Sequence, residues 1–236
     1  MSLSAGSTSC VYIRDKDNAW IPAEVVSESS GNISVRINHK FDDLENCSPG
    51  ELRDVKLKDY EGGVLPLQNL DNDTGNLIEC SDMVDLPFLH EAAILYNLKI
   101  RHKEGKPYTR TGDIVIAVNP YQWMNQLYSD ETRYLYADKL IWTQTKEDAK
   151  SLVEPHVYET SSLSYRGLAV DGMDQSVLVS GESGAGKTET VKILMNHLAS
   201  VQNMASGNES DGEVNDIVKR VRDSNPLLEA SIMCIE

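Results

Sequence analysis

Hydrophobic and polar positions change rhythm along the chain. From residue 10 to about 69, short apolar runs alternate with polar breaks: 10-CVYIRD-15, 19-AWIPAEVVS-27, 32-NISVRIN-38, 52-LRDVKLK-58 and 63-GVLPLQN-69. In 33-ISVRI-37 the period is two, with Ile33, Val35 and Ile37 on one face and Ser34 and Arg36 on the other. Breaks at Asp17-Asn18, Ser30-Gly31, Ser48-Pro49-Gly50 and Gly62-Gly63 punctuate the runs. Five short strands in about sixty residues predict a small β-barrel, with Trp20 in its core.

Residues 70–86 read as a linker. The stretch 87–105 turns helical, with Leu89, Ala93, Tyr96 and Ile100 near a 3.6 period and Pro87 suited to a first turn. The runs 114–118 and 176–180 are continuously apolar, as in strands covered on both faces. Helices expected at 129–140 and 155–172 separate them, so the pattern predicts an α/β fold with a mainly parallel sheet. A further helix over 188–201 carries the stripe Val191, Leu194, Met195 and Leu198. A polar surface loop at 205–213 and a short helical piece at 214–230 follow.

Composition narrows the classes. The chain has 236 residues, of which 40% are hydrophobic and 25% charged, and no run nears the ~18 apolar residues of a membrane helix. A net charge of -15 argues against nonspecific binding to nucleic acid or anionic lipid, though not against a locally built nucleotide site. Cys10, Cys47, Cys80 and Cys234 are too scattered for a zinc knuckle. The first six residues carry no basic cluster followed by an apolar block, so the expectation is a cytoplasmic chain with reduced thiols.

One segment carries explicit chemistry. Gly181, Gly186, Lys187 and Thr188 fit G-x-x-x-x-G-K-[ST], the phosphate-binding P-loop pattern, between an apolar run and an amphipathic helix. Glycines and Ala185 allow a tight curl whose N–H groups can face a phosphate. Lys187 can reach the β- and γ-phosphates, Thr188 is placed for Mg²⁺, and the helix start favours an anion. The pattern requires neither Glu182 nor Glu189, and alone separates neither ATP from GTP nor a kinase from a motor.

The longer stretch 175-QSVLVSGESGAGKTETVKILMNHLA-199 resembles the P-loop region of myosin motor domains. So, in the same order, do 88-FLHEAAILYNLKIRH-102, 112-GDIVIAVNPYQ-122, 155-PHVYETSSLSYRGL-168 and 224-SNPLLEA-230. The segment 11-VYIRDKDNAWIPAEVVS-27 resembles the SH3-like module that precedes many such motors. The resemblance implies an SH3-like β-barrel over 10–69 and the first part of a myosin motor, a P-loop NTPase with a mostly parallel sheet, over 87–236. It implies that Gly181, Glu182, Ser183, Gly184, Ala185, Gly186, Lys187 and Thr188 wrap the triphosphate of ATP, with Thr188 at Mg²⁺. Asn119, Pro120 and Tyr128 match the segment beside the adenine; read without the family, Asn119-Pro120 ends a strand and Tyr128 is a packed aromatic. For the intact protein the resemblance implies a cytoskeletal Mg-ATPase acting on actin filaments, with light chains or calmodulin as partners.

Hydrolysis also needs groups that position water and stabilise the transferring phosphoryl group. In myosins these lie on two switch loops beyond the P-loop, and after Ala230 this chain reads 231-SIMCIE-236. A partial record of a longer protein and a truncated or misjoined product both fit, the second being the expectation. With no complete catalytic set, the alternative function is an inactive interaction or structural module.

Overall fold

A computed structural model describes residues 9–38, 45–141 and 151–206, and the side chains of residues 202–206 lie outside that description. The expected helical piece at 214–230, the 224–230 segment and most of the 205–213 loop also lie outside the described residues. The chain forms two compact units, residues 1–103 and 104–236.

In the first unit, β1 (Cys10–Asp15), β2 (Ala19–Ser29), β3 (Asn32–Ile37) and β4 (Leu52–Lys56) form an antiparallel sheet in the order β1-β2-β3-β4. The period-two face of β3 is buried as its sequence predicts, with Ile33, Val35 and Ile37 in the core. β1 buries Val11, Tyr12 and Ile13 in succession, because both its faces are covered. Tyr12 packs against the Tyr96 ring at 4.9 Å and the His90 ring at 5.8 Å. Trp20 lies in the same core beside Ile21 and Tyr60.

The expected SH3-like barrel does not close. The sheet is an open meander, with no pairing of β4 to β1 among the described residues. After β4 the chain bends through 3-10 turns at Leu57–Asp59 and Glu61–Gly63. The run at 63–69 then meets β1 in a single bridge, Val11↔Leu67, flanked by bonds from Tyr12 N to Pro66 O (2.8 Å) and Gln68 N to Cys10 O (3.0 Å). Pro66 has no N–H to extend that ladder, so this run is not a fifth strand.

Helix α1 (Glu91–Lys103) buries Ala92, Ala93, Tyr96, Asn97 and Arg101, while Leu89 of the predicted stripe is exposed. Two amides hold residues 70–90 in place. Asn69 donates to Phe88 O (2.9 Å) and accepts from Phe88 N (2.7 Å); Asn97 does the same with Cys80 (3.0 and 2.9 Å). Each satisfies two backbone groups that would otherwise lose water.

The second unit begins with a hairpin, β5 (Tyr108–Thr111) and β6 (Ile114–Ala117), paired antiparallel. Helices α2 (Asp130–Ile141), α3 (Val157–Ala169) and α4 (Lys187–Ser206) follow. Tyr108, Tyr136, Leu140, Val157, Tyr158 and Leu194 form one core cluster; Ala137, Ile141 and Val201 form another. On α4 the buried positions among the described side chains are Leu194, His197 and Val201, so the apolar stripe continues through a histidine.

The expected parallel sheet is contradicted, since both described sheets are antiparallel. The physical cause lies at Gly112-Asp113. Gly112, at φ +63°, turns the chain back within two residues, so β6 pairs with its immediate predecessor. The run 176–180 has no regular secondary structure, and Leu178 is 92% exposed rather than buried.

Candidate functional site

The chain enters 181–188 from an irregular exposed segment, turns at Ser183 to Gly186 and becomes helical at Lys187. Gly184 (φ +80°) and Gly186 (φ +97°) make that turn in backbone conformations that oppose a side chain. A Cβ added at Gly184 would meet nothing within 4 Å, so the backbone there is open to an approaching group.

Within the loop, Ala185 N donates to Glu182 O (3.2 Å), and Thr190 N closes the first helical turn on Gly186 O (2.9 Å). The Lys187 ammonium folds back over the turn and donates to the carbonyls of Gly181 (2.6 Å) and Glu182 (2.9 Å). A lysine, two left-handed glycines and the amino end of a 20-residue helix thus come together on one exposed turn of backbone. That donor set suits an anion: a cation and helix N–H groups without intrahelical partners. Thr188 lies exposed in the first helical turn. Among the described residues, no group of three or more His, Cys, Asp or Glu side chains is placed to hold a metal ion.

Asn119 joins this region, donating from Nδ2 to Gly184 O (3.2 Å) while its Oδ1 accepts from Tyr121 N (3.0 Å). Pro120 lies between them. Tyr128 ends the 3-10 turn Asn125–Tyr128; its hydroxyl meets that of Tyr108 at 2.9 Å, and Trp123 lies 5.0 Å from its ring. Burial raises the Tyr128 pKa, the Tyr108 hydrogen bond opposes this, and the Glu189 carboxylate adds a smaller upward push. The structure therefore brings Asn119 onto the loop, whereas the polar contact of Tyr128 is with Tyr108.

Behind the loop, α4 is anchored by side chains that the sequence reading did not single out. His197 stacks on Tyr158 of α3 (4.2 Å, 16°), lies 2.6 Å from Ser161 Oγ through Nδ1 and 3.3 Å from the Arg133 carbonyl through Nε2. The carbonyl can only accept, which assigns the proton to Nε2 and leaves Nδ1 to accept from Ser161. Burial lowers the His197 pKa to about 4. His156 caps α3, its Nδ1 accepting from Tyr158 N (3.0 Å), and burial followed by the charge of His197 lowers its pKa to about 3. Arg110 of β5 forms a 2.7 Å ion pair with Glu159 of α3, each side chain 4% exposed, and also donates to Val153 O (2.6 Å). Polar residues within an apolar period are weak sequence signals, and their cross-helix partners carry no local mark at all.

Residues 80–231 match the family model described as myosin head (motor domain). The chain belongs to the myosin head family. It is 36% identical to Myosin-7 of Arabidopsis thaliana over 236 residues, which cover 98% of this chain and 12% of that protein. It is 34% identical to Myosin-14 of the same plant over 227 residues, covering 94% and 12%, and 34% identical to Myosin-15 over 232, covering 98% and 13%. The chain thus spans about an eighth of the length of these relatives.

Proposed function

We infer that this chain is the ATP-binding part of a myosin motor. In this reading Gly181, Glu182, Ser183, Gly184, Ala185, Gly186, Lys187 and Thr188 grip the triphosphate, and the Thr188 hydroxyl is a ligand for Mg²⁺. Asn119, Pro120 and Tyr128 belong to the segment beside the adenine, with Tyr128 the residue near the base. One observation carries the reading: in a chain of this family, Lys187 and two left-handed glycines meet at the start of a long helix. Anion entry requires the Lys187 ammonium to exchange the carbonyls of Gly181 and Glu182 for phosphate oxygens, a charge-assisted contact stronger than the one it leaves.

Thr188 would hold Mg²⁺, which would supply charge neutralisation to the phosphate tail; the chain's own part is to orient that tail and hold it against the helix end. In the complete motor this grip serves Mg-ATP hydrolysis coupled to force on actin filaments in the cytoskeleton, with light chains or calmodulin on the lever. Equilibrium binding of a fluorescent ATP analogue in the presence of Mg²⁺ tests the grip. Wild type binds, and Lys187→Ala weakens binding at least tenfold, the expected scale for losing one charge-assisted contact of ~1.5–3 kcal/mol. Equal affinities in the two proteins contradict the role given to the ammonium.

A further inference from the structure

We propose that Asn119 is a positioning residue for the phosphate loop, tying the base-side segment to the central turn at Gly184; this rests on the nucleotide reading above. The resemblance places Asn119 beside the adenine, but its side chain is already committed at both ends. Oδ1 accepts from Tyr121 N (3.0 Å), closing the turn around Pro120, and Nδ2 donates to Gly184 O (3.2 Å). One planar amide therefore bridges two segments 65 residues apart in sequence.

The Gly184 carbonyl belongs to a planar trans peptide whose N–H is that of Ala185, so the two point in opposite directions. Fixing the carbonyl on Asn119 fixes the Ala185 N–H toward the inside of the turn, where it donates to Glu182 O (3.2 Å). Gly184 has φ +80° and no side chain to restrict this peptide plane, which is held by the Glu182 bond at its N–H and the Asn119 bond at its carbonyl. A Cβ at Gly186 would lie in ordinary contact with Asn119 Nδ2, at 3.7 Å, so the amide packs beside both glycines of the turn. Asn119 thus supplies the external constraint that the two flexible glycines lack. It prearranges the amides before an anion arrives, which reduces the ordering cost of binding.

The test compares wild type with Asn119→Ala and Asn119→Asp in the full chain. Aspartate keeps the acceptor for Tyr121 N and loses the donor to Gly184. Amide exchange without nucleotide should accelerate about five- to tenfold at Ala185 in both variants, the scale of one hydrogen bond. Exchange at Thr190, inside the first turn of α4, should stay as in wild type and so reports an intact fold; if the alanine variant fails that check, the aspartate variant decides. ATP affinity should fall about tenfold while adenosine affinity is unchanged. Unchanged exchange at Ala185 overturns the proposal, as does an equal loss of adenosine and ATP affinity, which would make Asn119 a base contact. Should wild type bind neither ligand, the nucleotide reading fails and the exchange comparison still decides what Asn119 does.

Discussion

Acid should loosen the helical unit through its two buried histidines. In the fold, burial holds His197 at about 4 and His156 at about 3. An unfolded imidazole takes its proton near pH 6.5. Both folded-state values are depressed, so the unfolded chain binds protons first. Stability from these groups is complete above about pH 6.5 and drains away as pH falls toward the folded-state values. At about pH 5 nearly every unfolded imidazole is charged and nearly every folded one neutral, a difference of about 2 kcal/mol for each ring. Protonating either ring also opposes protonation of the other, so the two titrate as a pair, with a joint loss on the order of 4 kcal/mol. Urea unfolding followed by helical circular dichroism at about pH 7.5 and about pH 5 measures that loss. His197→Phe retains a ring to stack on Tyr158 and removes one titration. It should be less stable at neutral pH by about 1 kcal/mol, having lost contacts to Ser161 and the Arg133 carbonyl, yet lose only about half as much on acidification. Identical acid losses in wild type and His197→Phe would refute the assignment of a buried neutral imidazole.

Two further outcomes follow from the packing and the turn. Glu159→Ala strands the Arg110 guanidinium in a buried site and should cost about 3–5 kcal/mol, whereas the double change Arg110→Met with Glu159→Leu should recover most of it; thermal or urea midpoints decide. Gly186→Val forces a β-branched residue to φ +97° at the entrance to α4. It should cost about 1–3 kcal/mol and abolish binding of the ATP analogue, while a variant that binds normally would contradict the need for that turn.

Legibility in the sequence followed the range of the interaction. The period-two face of β3 and the starts of α2 and α3 were readable because neighbouring residues set them. Strand direction was not readable from the apolar content of 114–118, because a hairpin strand and a parallel strand can show the same run. The Gly112-Asp113 pair was the available hairpin signal, but its first strand, Tyr108–Thr111, hides an arginine whose burial depends on Glu159, far along the chain. Barrel closure likewise turned on Pro66, one missing donor in an otherwise strand-like run. On α4, His197 broke the expected stripe because its partners Tyr158, Ser161 and Arg133 come from other helices. The G-x-x-x-x-G-K-[ST] spacing over 181–188 was legible because neighbouring residues alone write that pattern; the clasp of Lys187 on the carbonyls of Gly181 and Glu182 was not.

Residue-resolved amide signals of 181–188, recorded while Mg-ATP is titrated into the full chain, test the nucleotide grip most directly. Saturable shifts centred on Gly184, Gly186, Lys187 and Thr188, reproduced by ADP but not by adenosine, are the predicted result. Shifts confined to other parts of the chain, or a loop indifferent to saturating nucleotide, would contradict it.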